Sequence, residues 1–528
     1  MVFGREARLG SSVVLSETNL PDAAETETGL PTRQLHILLG TLIASVSLSS
    51  LDTSILVTAL PTIAGQFNAF EQLSWVMTSY IVTSTIATPL LGKLSDLYGR
   101  RTVFQISMAT FAVASLLCGI SQSIVQLIAA RAVQGIGGGA IQALAFAIVG
   151  DVLPPRVRGK YVGYFTLAFA GSALAGPLIG GLIIDRWTWP WIFLINVPLC
   201  PLLMLFLHRS LQLPFAKRKA KLDVLGAVLL SVGLAALMIG LEEGRTSLTN
   251  RRSLILLGVA AVVLTLFVRQ EQLASEPMIP LRLFRNRVVL SCAMLGACAG
   301  AVSFGASNYM SVFFQDALFV SPTEAGLRSL PLMVGVVISS TTTGRMIAAR
   351  GYYKRFPVVG SIIASLGLAV LAVLIFNRTT YLLFVPVLFL MGLGFGSTYT
   401  TTSIATQNAC EIRDMGVATA TIMFFRTLGG SIMLAISGTV LNKTIRSEIP
   451  RRTGMRADEA VSLLREPKKI AALAPDLREA VVHAVATGVG RIQILSVLCM
   501  VGGIAWAVAM PELPLRNRSG LSEVLQAE

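Results

Sequence analysis

In the run "SLSSLDTSILVTALP", residues 47–61, Asp52 is the only Asp, Glu, Lys or Arg between Arg33 and Glu71. A charge at the centre of a bilayer costs about 2.5–3.5 kcal/mol on insertion scales, so a retained one faces an interior or a water-filled path. Thr41, Ser45, Ser49 and Asp52 fall at helical spacing on one face, and that stripe is expected to line a central cavity. Burial raises a carboxylate's pKa and a nearby cation lowers it; a group balanced between the two takes up and releases protons near physiological pH. The counter-ion is Arg131, the only charge between Arg101 and Asp151. Counting 1.5 Å per residue puts Arg131 roughly 10 Å and Asp52 about 12 Å below one membrane surface. A purely structural buried ion pair is the alternative.

Two other stretches carry spacing with a mechanical meaning. "GKLSDLYGRR" (92–101) places Asp96, Arg100 and Arg101 between two apolar runs. Gly92 and Gly99 permit a tight turn and close helix approach there, so Asp96 can pair across the molecule when one side is shut. "GSALAGPLIGG" (171–181) sets Gly171, Gly176, Gly180 and Gly181 on small faces, with Pro177 expected to kink the helix. That bent, smooth helix is expected to slide against the other half of the chain. Tyr80, Gln134, Asn308, Tyr309, Phe424 and Phe425 are candidates for lining a substrate cavity, with the intramembrane charge Arg426 as a secondary one.

The elements that must position these residues follow from composition. The 528 residues are 54% hydrophobic and only 13% charged, with mean hydropathy +0.71; soluble proteins carry about 25% charged residues. Long uncharged runs recur from 37–51 to 492–511, most near the roughly 20 residues that span a bilayer. Extending the shorter ones gives fourteen spans. The net charge of +15 gathers in loops on one side, as the positive-inside rule requires, so both termini are expected in the cytoplasm and no nucleic-acid partner is implied. No cleaved leader is indicated. The six cysteines show no metal or disulfide spacing, and no cofactor is expected. His36, His208 and His483 are scattered, which disfavours an intramembrane enzyme. No GxxxxGK[ST] loop exists for ATP-driven export.

A faint internal repeat organises the runs. "GKLSDLYGRR" is answered by "GRMIAARGYYKR" (344–355), and "GIGGG" (135–139) by "GLGFG" (392–396), at nearly one offset. The second copy has Ala348 for Asp96 and Leu388 for Arg131, so ion chemistry is expected in the first half. Parallel repeats of this kind are a transporter architecture, with substrate held between halves near the midplane.

"GKLSDLYGRR", "RAVQGIGGGA", "GSALAGPLIGG" and "LDTSILVTALP" together resemble the signature motifs of the major facilitator superfamily. With "WIFLINVP" (191–198) and "PLRLFRNR" (280–287), the chain is similar to its fourteen-helix drug:proton antiporters over about residues 35–510. The resemblance implies an all-α polytopic membrane protein with two six-helix bundles (35–210 and 286–510) and two inserted helices (221–272). It also implies proton coupling through Asp52 and Arg131 and an antiporter hinge at 171–181. Residues 1–34 and 511–528 are expected as cytoplasmic tails, the first disordered. The outer segment 443–490 reads as two short amphipathic helices broken around Pro467 and Pro475.

The expected function is proton-driven export of small amphiphilic drugs from the cytoplasm, with substrate, protons and lipid as partners and a monomeric state. An exporter of an endogenous metabolite or siderophore is the alternative. Arg outnumbers Lys heavily, which suits a GC-rich bacterial genome and the bacterial inner membrane. Some family members carry acids where this chain has Arg426, which puts a dicationic substrate in doubt.

Overall fold

The computed structural model describes residues 31–515 apart from 68–71, 154, 212–222, 245–249, 275–276, 412–413 and 456–473. Every regular element among them is helical. The long helices are α1 (Thr32–Phe67), α2 (Leu73–Tyr98), α3 (Arg100–Gly119), α4 (Ile124–Val152), α5 (Pro155–Arg186), α6 (Trp191–Ser210) and α7 (Val224–Glu243). They continue with α8 (Arg251–Leu273), α9 (Arg287–Val312), α10 (Leu330–Arg350), α11 (Arg355–Phe376), α12 (Phe384–Ala409), α13 (Met415–Thr453) and α14 (Pro475–Ala509). Twelve described helices are long and apolar enough to cross a membrane. Helices α2 and α5, of 26 and 32 residues, pack among them.

Short polar side chains start these helices. Ser123 Oγ, Asp223 Oδ1, Asn250 Oδ1 and Asn286 Oδ1 each accept a backbone N–H from the first turn of α4, α7, α8 and α9, satisfying donors that no helix can satisfy internally. Within the apolar stretches, hydroxyls turn back on their own helix. Thr41 donates to the Ile37 carbonyl at 2.7 Å and Ser45 to that of Thr41 at 2.8 Å. A hydroxyl so occupied costs little in an apolar environment.

The packing repeats. Contacts α2–α4, α1–α5, α3–α4, α1–α6 and α3–α6 reappear as α10–α12, α9–α13, α11–α12, α9–α14 and α11–α14. The glycine runs explain why. A methyl at Gly135 or Gly139 would strike the α2 backbone at Tyr80 or Ser84, and one at Gly392 or Gly396 the α10 backbone at Leu332 or Val336. On the opposite face, Gly137 meets α3 at Ser107 and Phe111, as Gly394 meets α11 at Gly360 and Ala364. Helices α4 and α12 therefore each take two backbone-close neighbours, which only small residues allow. Helices α7 and α8 pack on each other, and α7 rests against α2 and α13.

At 443–490 the expected second short helix is instead the start of a 35-residue helix, and most of the expected first one lies outside the described residues. Helix α13 runs unbroken to Thr453, with Pro450 in its last turns, and α14 begins at Pro475, whose missing N–H is harmless in a first turn. The two helices zip together there: Arg491 donates to Thr444 Oγ1 at 3.0 Å, and Gly488 lies against Leu441. The break foreseen at Pro467 lies outside the described residues, as do residues 1–30 and 516–528. Residues 511–515 are no free tail. Glu512 Oε1 accepts the Tyr353 N–H at 2.6 Å, and Asn408 donates to the Pro514 carbonyl at 3.1 Å.

Candidate functional site

Helix α1 brings Asp52 into the interior of the first helix set, where its side chain and that of Arg131 are both fully buried. Arg131 Nη1 lies 2.7 Å from Asp52 Oδ2 and donates also to Gln134 Oε1 at 2.6 Å. The second carboxylate oxygen accepts from Gln134 Nε2 at 2.9 Å and from Asn196 Nδ2 at 2.7 Å. Ser115 Oγ accepts from both amides, at 2.8 and 3.3 Å. Asp52 is thus held by one cation and two amides. Among the described residues Arg131 Nη2 has no hydrogen-bond partner; the guanidinium carbon lies 4.3 Å from the Tyr80 ring centroid and 5.7 Å from that of Phe193.

A cavity of about 510 Å³ lies between the two helix sets. The Asp52 stripe does not line it. Thr41, Ser45, Ser49 and Asp52 face the packed interior, and the adjoining face of α1 (Ser50, Thr53 and Ser54) reaches the cavity instead. The reason is that Asp52 finds all its partners on α4 and α6, which turns its face away from the opening. Tyr80 stands between the two. It lines the cavity, its hydroxyl is 3.2 Å from Ser49 Oγ, and a methyl at Gly138 would collide with that hydroxyl.

Other cavity candidates divide. Arg426 lines the cavity with Tyr80. Gln134 belongs to the ion-pair network. Asn308 is turned back on its own helix, donating to the Phe304 carbonyl at 2.8 Å, and Tyr309 donates to the Leu434 carbonyl at 3.3 Å. Phe424 and Phe425 pack toward α7 and Phe284. Helical phase decides this, since Ile422, Met423, Arg426 and Thr427 take the cavity face of α13. Asn196, absent from the sequence candidates, had one signal: an amide inside the apolar run of α6. Gln142, which also lines the cavity, carried the same signal inside α4, and Tyr399 lies in the polar run "STYTTTS" (397–403) of α12.

At the end of the molecule where α1 begins and α14 ends, the helix sets close on each other. Asp96 Oδ1 pairs with Arg100 at 2.5 Å, its Oδ2 accepts the Val417 N–H at the start of α13 at 3.0 Å, and Arg100 Nε reaches Asp151 Oδ2 at 2.7 Å. A carboxylate at a helix N-terminus is favoured by the exposed N–H groups. Burial nevertheless dominates at Asp96, pushing its pKa up to about 6 against the pull of Arg100, with Asp151 adding to the rise. Gly92 lies against Ala420, and Gln407 donates to the Phe146 carbonyl at 3.4 Å. Gly99, at φ 94°, makes the link between α2 and α3. Arg101 is half-buried and outside this cluster.

In 171–181, Gly176 and Gly180 touch α1 at Ser54, Ile55 and Thr58, within their own helix set. A methyl at Gly171 or Gly181 would meet nothing within 4 Å. The Gly176 and Gly180 face thus packs inside one set, while α5 meets α10 elsewhere, with Gly163 against Thr341. The Pro177 side chain lies outside the described residues.

The Major Facilitator Superfamily model matches residues 42–434. Multidrug resistance protein 3 of Bacillus subtilis is 33% identical over 80% of this chain and 83% of its own length. The vacuolar membrane amino acid uptake transporter fnx2 of Schizosaccharomyces pombe is 31% identical over 91% of this chain and 85% of its own. The solved structure of the human organic anion transporter MFSD10 superposes with a TM-score of 0.59 at 17% identity, over 88% of this chain and 99% of that one, a likeness of fold. The chain belongs to the Major Facilitator Superfamily: a polytopic membrane protein that moves small molecules by secondary-active transport and is not an enzyme.

Proposed function

We propose that this transporter is a proton-coupled antiporter that exports small amphiphilic compounds from the cytoplasm. In this reading it sits in the plasma membrane as two six-helix bundles with α7 and α8 inserted, fourteen spans in all, both termini cytoplasmic. The observation that carries it is the fully buried Asp52–Arg131 pair, one aromatic side chain away from the cavity. Proton uptake by Asp52 would neutralise one partner and free Arg131 to relax toward Tyr80, changing the cavity wall. Deprotonation would restore the pair. The contacts of Asp96 with Arg100 and Val417 form the inner gate, shut in this arrangement.

Drug export draws support from the likeness to Multidrug resistance protein 3 and from a wall that mixes aromatic, thioether and hydroxyl groups, a surface that adapts to many shapes. The likeness to fnx2, named for amino acid uptake, favours a second reading, transport of an endogenous metabolite on the same machinery. The test is a proteoliposome assay with an imposed pH gradient and a panel of dyes and metabolites. Export should start with the gradient and stop when it is collapsed; flux indifferent to the gradient would refute antiport.

A further inference from the structure

Arg426 is the one charged side chain among the described residues that line the central cavity. It lies eleven residues into α13, a rise of about 16 Å from Met415, deep inside the bundle. Among the described residues it makes no ion pair and no hydrogen bond to a carboxylate. Its guanidinium carbon lies 4.9 Å from the ring centroid of Tyr399, which bonds the Ser303 hydroxyl. An aromatic face supports a cation without neutralising it. The position is also built: a methyl at Gly300 would strike the Arg426 carbonyl and approach its Cγ to 2.9 Å, so α9 clamps the stem and leaves the head to the cavity.

Nearby charges do not offset it. Asp52 and Arg131 compensate each other behind Tyr80. Glu242 lies beyond Phe304 in a separate small hollow against α2 and α13. The remaining polar groups at the wall are hydroxyls and one amide, among them Ser50, Ser54, Gln142 and Thr427. A charge kept inside a membrane protein marks a substrate or ion path by default, and this one is positive.

We propose that the cavity is an organic-anion site, in which Arg426 engages a carboxylate, sulfonate or phosphate and the Phe304–Ile422–Met423 wall takes an apolar body. This rests on reading the cavity as the transport site. A cationic amphiphile would meet Arg426 with no carboxylate among the described residues of the cavity wall. Exchange of a monoanion leaving for a proton entering moves two positive charges inward per proton, so the membrane potential would drive export together with the pH gradient.

The test uses the full-length protein and three probes. 1-Anilinonaphthalene-8-sulfonate and N-phenyl-1-naphthylamine share one frame with and without the sulfonate; ethidium supplies the cation. In saturable binding, the wild type should prefer the sulfonate over the uncharged frame by roughly tenfold or more, as a charge-assisted hydrogen bond provides. Arg426→Gln should remove the preference and Arg426→Lys should keep part of it. Ser303→Asp, which sets a carboxylate beside Arg426 without deleting it, should also remove the preference and covers the case in which Arg426→Gln fails to fold. A wild type that prefers ethidium, or an Arg426→Gln protein that still prefers the sulfonate, would overturn the proposal. Repeating the titration in phosphatidylcholine vesicles with added phosphatidylglycerol separates the sources of anion. Full competition by that lipid would assign Arg426 to a headgroup and overturn a free-anion site. No gradient-driven movement of any probe would sink antiport, while the titration would still decide the charge preference.

Discussion

The guanidinium of Arg131 lies 4.3 Å from the ring centroid of Tyr80, and that ring also forms part of the cavity wall. One side chain therefore separates a dry ion pair from the space where a substrate would sit. Any event that moves Tyr80 changes both the solvation of Asp52 and the shape of the cavity, which is what coupling requires of a single element.

Asp52→Asn keeps the shape of the side chain and its amide partners but removes the titratable group. Gradient-driven export in proteoliposomes should fall to background, with substrate affinity little changed. Retained pH-driven export by this variant would end the proposed role of Asp52.

Arg131→Leu installs the residue that the second repeat carries at Leu388 and leaves Asp52 buried without its cation. Removing one partner of a buried pair costs about 3–5 kcal/mol, so the midpoint of thermal unfolding in detergent should drop clearly. The double variant Asp52→Leu with Arg131→Leu should recover most of that stability while remaining transport-dead. A double variant no more stable than the single one would mean that the pair is not energetically coupled.

Tyr80→Phe removes only the hydroxyl contact with Ser49 and should transport nearly normally. Tyr80→Ala opens the ion pair to the cavity, and we expect it to leak protons without substrate, read with a pH-sensitive dye inside vesicles. Tight vesicles carrying Tyr80→Ala would show that Tyr80 is not the barrier.

Asp96 makes the closed inner gate pH-dependent. Its carboxyl has a pKa of about 6 when buried against Arg100 and Val417, and about 3.9 if solvated in an open gate. The closed state therefore binds the proton more tightly, so acidification through pH 6 toward 4 favours closure and a rise above 6 removes that advantage. The closed-to-open ratio should change by up to about tenfold per pKa unit, measured as distances between spin labels on the α2–α3 link and the start of α13. Asp96→Asn should flatten the profile; an unchanged profile would place the titrating group elsewhere.

Sequence alone determined that this chain crosses a membrane as a bundle of helices, that it holds two related copies, and that Asp52 and Arg131 share a depth. Those conclusions rest on hydropathy, spacing and rise per residue, which are properties of one helix at a time. Tertiary structure decided which way each face turns. The hydroxyl stripe of α1 was read as a cavity wall, yet Asn196 and Gln134 draw Asp52 inward and leave Ser50, Thr53 and Ser54 to the opening. Phe424 and Phe425 looked like substrate contacts, but neighbouring helices claim them and give Arg426 the cavity. The segment 443–490 read as two short amphipathic helices because charges interrupt the apolar run, whereas α13 continues to Thr453 and α14 starts at Pro475, with Arg491 of α14 reaching Thr444 and Glu448 of α13. A helix's polar and apolar residues fix what it can face; only its neighbours, through packing and hydrogen bonds made far along the chain, fix what it does face.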